Sequence, residues 1–223
     1  MAETNKVKFG LKSCYIALLH EDENGAITYD TPFAFPGAVN LSLSKEGADP
    51  EKFYADDIVY WQSGYTNTGY SGTFEFARII DKFHIDVLGV EVDENGMMVE
   101  NSDVQPKPFA LMVQFSGDKH NTRHVLYHCT ASRPDLASQT NEEQASPITE
   151  TLNLSIIPAT FGDKHIVKAK QSPDGANYDD WFTAVQVPSF PATDPETPTD
   201  DTPTDPTDPE DTNPETDNPE TGA

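Results

Sequence analysis

The stretch that decides the fold covers residues 36–89 and has the sequence PGAVNLSLSKEGADPEKFYADDIVYWQSGYTNTGYSGTFEFARIIDKFHIDVLG. Near its start, Val39, Leu41 and Leu43 alternate with polar residues, which predicts a half-buried β-strand. A second predicted strand follows after a long loop rich in aromatic and acidic residues, and a short helix ends the segment. No catalytic residue stands out in it, so the segment is typical of an assembly protein.

The same period-two alternation continues along the chain and predicts further half-buried strands. Tight reversals separate them. Asp-Glu-Asn-Gly occurs at 22–25 and again at 93–96, and each Asn-Gly predicts a hairpin turn whose two central residues have positive φ. The clearest alternating runs are 109–115, 125–129 and 152–156. Segments 109–116 and 123–132, which contain the first two runs, form a predicted hairpin.

Two short helices complete the predicted elements. Asp81 is placed to cap a helix over 82–88, and Asn177 is placed to cap one over 178–185 with apolar residues at helical spacing. A doubly wound α/β fold is disfavoured because strands and helices do not alternate. The predicted fold is therefore mainly β: a β-sandwich or partly open barrel of antiparallel strands with one or two short flanking helices.

The composition of the chain changes at residue 190. Residues 191–223 contain no aromatic, Leu, Ile, Val, Lys or Arg residue, but they hold 8 of the 18 prolines and 11 of the 38 acidic residues. Such a segment cannot bury enough apolar surface to offset its chain entropy. We therefore predict one β domain over 1–190 and a disordered, acidic, Thr/Pro/Asp-rich extension over 191–223.

The charge of the chain limits its partners. The net charge is −24, and removing the 11 acidic residues of the extension still leaves −13. A surface of that sign repels nucleic-acid phosphates and anionic membranes, which argues against a DNA-binding role. It does not argue against a conduit, since a wall past which DNA slides should not bind it. Because no apolar run reaches the roughly 20 residues that span a bilayer, and no signal peptide is apparent, we expect the chain to stay in the cytoplasm where it is made.

Patterns that would carry chemistry are weak. His120, His124 and His128 recur every fourth residue, but on a strand this spacing separates side chains by about 13 Å, too far to share one metal ion. The Asp-Glu-Asn-Gly turns lack the ligand spacing of an EF-hand. Cys14 and Cys129 lie in apolar runs and are typical of reduced core residues. With no nucleophile elbow or phosphate loop, we expect no enzymatic activity and no cofactor.

The long loop inside the opening stretch is the candidate site. Aromatic residues in a loop between strands can form local core, but they are also enriched at protein–protein interfaces. We interpret this loop as a contact between subunits. Its candidate residues are Phe53, Tyr54, Asp56, Asp57, Tyr60, Trp61 and Tyr65.

Short segments in a characteristic order and spacing extend over residues 5–187. They are 6–12, 29–32, 36–41, 53–56, 69–72, 105–111, 122–127, 149–153, 177–178 and 181–182. In these segments the chain resembles the phi13-type major tail proteins of long-tailed phages of Gram-positive bacteria.

The resemblance implies a tail-tube subunit located in the virion tail. Such proteins form hexameric rings that stack into the tube through which the genome leaves the capsid, and their fold has two packed antiparallel sheets with a flanking helix. Their long loop reaches toward a neighbouring ring, and its counterpart here is 44–67. The implied partners are further copies of the chain and the tape-measure, distal tail and tail terminator proteins. DNA passes through the lumen without specific binding, and no membrane is involved.

Two other classes remain open on sequence alone. A bacterial surface-anchored binding module would explain a Pro/Thr/Asp-rich stalk, and residues 218–222 are similar to a sortase signal. Asn218 replaces the Leu of that signal, however, and neither an apolar segment with a basic tail nor a secretion signal accompanies it. A carbohydrate hydrolase on a β-sandwich would need a carboxylate pair across a cleft, and no pattern selects one.

Overall fold

The computed structural model describes residues 10–115, 121–140 and 147–190. The chain divides into two units, Met1–Pro188 and Ser189–Ala223, and the elements below belong to the first. The fold is mainly β, as predicted. The strands are β1 Leu11–Glu21, β2 Ile27–Tyr29, β3 Phe33–Ala34, β4 Ala38–Glu46, β5 Lys52–Ala55, β6 Ile58–Gln62, β7 Gly69–Phe76, β8 Glu91–Val92, β9 Met98–Val99, β10 Phe109–Phe115, β11 Arg123–Ala131, β12 Glu150–Ile157, β13 Ala159–Phe161, β14 Lys164–Ile166 and β15 Lys168–Gln171; the helices are α1 Asp81–Asp86 and a 3-10 helix Asp179–Phe182.

Nine of these strands form one antiparallel sheet. Its order is β2-β1-β10-β11-β12-β7-β4, with β3 paired to β1 and β15 paired to β11. The remaining six strands form three separate hairpins, β5–β6, β8–β9 and β13–β14. The predicted hairpin between 109–116 and 123–132 is confirmed as β10 and β11, while residues 116–120 lie outside the described part of the chain.

The large sheet branches at β11 and curls. The first half of β11 pairs with β15, and its second half pairs with β12. At one end of the sheet, β4 approaches β1 to within 8 Å between Cα atoms, although no backbone ladder joins them in the described residues. One curled sheet therefore surrounds the main core, so the described residues correspond to the partly open barrel among the two predicted forms.

β10 is buried on both of its faces. Leu111 belongs to the main core inside the barrel, whereas Met112 belongs to a second apolar cluster on the outer face of the same strand. Trp181 of the 3-10 helix covers that second cluster. Even Gln114, expected on an exposed face, is only 6% exposed and donates its side-chain N–H to the Asn121 carbonyl at 3.3 Å. The prediction of a half-buried strand is therefore wrong for β10.

Both helices end earlier than predicted, and the second helix also begins later. Ile80 is the residue before α1, and Asp81 lies in the first turn without capping it through its side chain. A carboxylate there still interacts favourably with the helix dipole. The second helix is only the 3-10 turn Asp179–Phe182, preceded by Tyr178. Trp181 nevertheless faces the body of the domain and is buried.

The two Asp-Glu-Asn-Gly reversals adopt the same turn, but not the predicted one. Asp22 and Asp93 each accept hydrogen bonds from two backbone N–H groups through the same carboxylate oxygen. Only the glycine, and not the asparagine before it, has positive φ. The carboxylate therefore organises each turn, and hydrogen bonds led by the Met97 N–H hold the pKa of Asp93 below its usual value.

Cys14 and Cys129 are both buried and free, as expected. Burial raises the pKa of the Cys14 thiol to about 12, and it raises the pKa of Cys129 as well. Both thiols are therefore protonated and unreactive near neutral pH.

Burial on both faces of β10 gives an unusual pattern of stability. Leu111→Ala and Met112→Ala, at neighbouring positions that point to opposite faces, are each expected to lower the free energy of unfolding by about 2–5 kcal/mol. On β12, where one face is exposed, Leu154→Ala is expected to be costly and Ser155→Ala nearly neutral. Urea unfolding followed by circular dichroism measures all four. A nearly neutral Met112→Ala would contradict the two-sided core.

Candidate interaction site: an exposed aromatic arm

Residues 47–68, here called the arm, connect β4 to β7 and contain the hairpin β5–β6. The sequence predicted a long loop at this place, but the two halves of the arm are hydrogen-bonded to each other from base to tip. The arm is thus a two-stranded ribbon that continues the pairing of β4 with β7. The backbone bonds between the halves run from Thr68 N to Glu46 O (3.0 Å), Thr66 N to Ala48 O (3.3 Å) and Ser63 N to Glu51 O (2.9 Å), before the β5–β6 ladder begins.

Close backbone contact fixes the base of the arm. Gly47 has a φ of +147°, and a Cβ at this position would lie 2.0 Å from the carbonyl oxygen of Thr66. Only glycine allows this approach. The Thr66 hydroxyl accepts the Ala48 N–H at 2.7 Å, and the Ser63 hydroxyl accepts the Glu51 N–H at 2.8 Å. These local contacts between the two halves of the arm therefore determine the ribbon.

The tip of the arm is a tight turn at Asp56 and Asp57, whose φ angles are +52° and +61°. Two central residues at positive φ are typical of the type I′ hairpin turn, for which Asn-Gly is the usual sequence. Aspartate tolerates this conformation because its short polar side chain bonds locally. Both carboxylates are exposed, so the tip of the arm carries two negative charges.

The apolar side chains of the hairpin face solvent on both sides. Phe53 lies directly opposite Trp61 across the ladder, and Tyr54 lies opposite Val59, with a bulge between these pairs at Tyr60. Their exposed fractions range from 46% for Val59 to 72% for Tyr60. These aromatic residues are therefore not local core of this chain.

The structure brings six of the seven predicted residues together on one hairpin. Tyr65 lies nearer the base, where the Lys45 ammonium group is 4.9 Å from the centre of its ring. Sequence reasoning missed Ile58 and Val59, which are also exposed on β6. The signal was present as two β-branched residues directly after the Asp-Asp turn, because this pattern favours a strand.

The exposure of so many aromatic side chains on the arm is unusual for a soluble monomer. A two-stranded hairpin alone is only marginally stable in water, and soluble monomers rarely expose a contiguous apolar patch of this kind. Such patches, rimmed by polar and charged residues, mark surfaces that contact other macromolecules. The contact of the arm with another subunit stays a prediction. The exposed position of the arm permits such a contact.

Within ranges 10–115, 121–140 and 147–190, no three His, Cys, Asp or Glu residues are grouped so that they could hold a metal ion. His120 lies outside those ranges, and burial lowers the pKa of His128. No helix in the same ranges is long and apolar enough to cross a membrane. Comparison of the chain with protein-family models and with curated proteins finds no match.

The two tryptophans of the chain provide a matched test of the arm. Trp61 is 57% exposed on the arm, whereas Trp181 is 2% exposed in the second apolar cluster. In dilute monomer, Trp61→Ala is expected to change the free energy of unfolding by no more than about 0.5 kcal/mol. Trp181→Ala is expected to cost about 3–5 kcal/mol. If urea unfolding shows the same loss of unfolding free energy for both variants, Trp61 is a core residue and its assignment to an interface is refuted.

Proposed function

We propose that this chain is the major subunit of a phage tail tube, which assembles into hexameric rings stacked as a conduit for DNA ejection. The observation that carries the proposal is the arm: an ordered, exposed ribbon with aromatic side chains on both faces. Ten residues separate Glu46 from Asp56, and at about 3.3 Å per residue the arm is long enough to extend roughly 30 Å from the sheet. A partner surface is the simplest physical reason for keeping such a ribbon.

The free edge of the large sheet supports self-association. β4 is the last strand in the order and pairs only with β7 among the described residues. Unpaired strand edges are a hazard for a monomer, because they bind other edges. In a closed ring each edge pairs with the next copy, so the same feature becomes an assembly interface. In this proposal β4 contributes to contacts within a ring, and the arm contributes to contacts between rings.

The charge of the chain is consistent with a conduit. An acidic wall repels phosphates, so DNA passes along it without specific binding. The proposal places the assembled protein in the virion tail and its assembly in the host cytoplasm. The further partners it requires are a tape-measure protein, a distal tail protein and a tail terminator. It assigns the chain no catalytic role.

Negative-stain electron microscopy of the concentrated chain tests the proposal. The unmodified chain is expected to form hexameric rings and hollow tubes, and Trp61→Ser is expected to reduce stacking because it removes an apolar contact between rings. Leu136→Ser changes a fully exposed apolar residue outside the arm and is expected to assemble normally. Persistent monomers of the unmodified chain, even with a tail initiator added, would contradict a tail-tube role.

A further inference from the structure

A groove opens beside the base of the arm, at the mouth of the curled sheet. Its volume is about 230 Å³. β4 and β7 form one wall, β10 and β11 form the floor, and β15 contributes a charged rim. The groove is mainly apolar, and its principal lining residues are Leu41, Leu43, Tyr70, Val113, Leu126 and Lys168.

The arm of the same chain does not fill this groove. No residue of the arm lines it, and the aromatic side chains of the arm are exposed. The groove therefore offers apolar surface that another molecule can cover. Leu41 and Leu43 line it, while Ser42 between them points to the opposite face of β4 and is exposed.

The groove and the tip of the arm have opposite charges. Lys168 stands at the rim, with its ammonium group 4.4 Å from the centre of the Tyr70 ring. The tip of the arm carries Asp56 and Asp57. In a chain with only 14 Lys and Arg against 38 Asp and Glu, two copies repel each other unless the few cations face carboxylates. Contact between the tip and the groove satisfies this condition.

We propose that the groove of one copy receives the tip of the arm of another copy. An aromatic side chain of the Phe53–Trp61 pair fills the apolar part, and the Asp56–Asp57 turn lies near Lys168. The volume is adequate, since an apolar cavity of about 150 Å³ accepts a benzene molecule. This inference rests on the proposed function and deepens it, because it names the receiving surface.

The contact is heterologous, since the donating and receiving surfaces are different parts of the chain. Each copy gives one arm and accepts one, and such a contact either closes into a ring or continues from copy to copy as a stack. This geometry is the one that stacking of identical subunits requires.

Crosslinking between two single-cysteine variants tests the inference. Phe53→Cys is mixed with Leu43→Cys under assembly conditions and treated with a short bifunctional thiol reagent. The native cysteines are buried and are not expected to react in the folded chain. The matched control replaces Leu43→Cys by Ser42→Cys, one residue away on the opposite face of the same strand. Mass spectrometry is expected to detect a crosslinked heterodimer when Leu43→Cys is used. With Ser42→Cys, the yield of that heterodimer is expected to fall to background.

A charge reversal provides a second measurement that leaves the apolar groove intact. Lys168→Glu and Lys170→Glu change the net charge equally on the same strand and face, but only Lys168 lines the groove. The concentration needed for assembly, measured by sedimentation, is expected to rise severalfold more for Lys168→Glu than for Lys170→Glu. Equal shifts would show only general repulsion between copies and would overturn the role of Lys168.

The outcomes separate this inference from the proposed function. Assembly with crosslinking specific to Leu43 supports both. Assembly with equal crosslinking at positions 42 and 43, or with no crosslinking, overturns the inference but leaves the tail-tube role standing. The groove would then have another occupant, such as another segment of the same chain. If no particle larger than the monomer forms from the unmodified chain, even with a tail initiator added, the proposed function fails and the inference fails with it.

Discussion

Burial of β10 on both faces is the constraint on which the rest of the fold depends. The strand contributes to the barrel core through Leu111 and to the outer cluster through Met112, and each cluster requires its own cover. The curl of the sheet encloses the first cluster. The β13–β14 hairpin and the 3-10 helix with Trp181 cover the second. Since apolar burial is the main favourable term in folding, these contacts account for the stability of the domain without the arm.

The arm is consequently free to serve another purpose. Its local hydrogen bonds and the glycine at its base give it shape, while its aromatic side chains remain outside the core. The negative net charge of the chain limits which surfaces of two copies can associate. General repulsion between copies disfavours random contact, so a contact must combine apolar burial with a correctly placed cation. In the contact proposed above, the arm supplies the apolar side chains and Lys168 of the groove supplies the cation.

Much of this fold could be predicted because its signals are local. Period-two alternation predicted the β10–β11 hairpin and the mainly β class, and aromatic composition identified the candidate interaction segment. The elements that cover the outer face of β10 could not be predicted, because they lie more than 40 positions away along the chain. The tip of the arm was missed because Asp-Asp is an unusual sequence for its turn. The groove was missed because it forms only when five strands meet.

Hydrogen exchange with mass spectrometry tests the central claim, that a self-sufficient core presents a separate assembly arm. Amide exchange in β10 and in the β5–β6 hairpin is compared between dilute monomer and concentrated, associated protein. The account predicts slow exchange of β10 in both samples. It predicts fast exchange of the hairpin in the monomer and marked protection on association, because exposed two-stranded elements open locally. Protection of the hairpin equal to that of β10 in the monomer, or no change on association, would contradict the account.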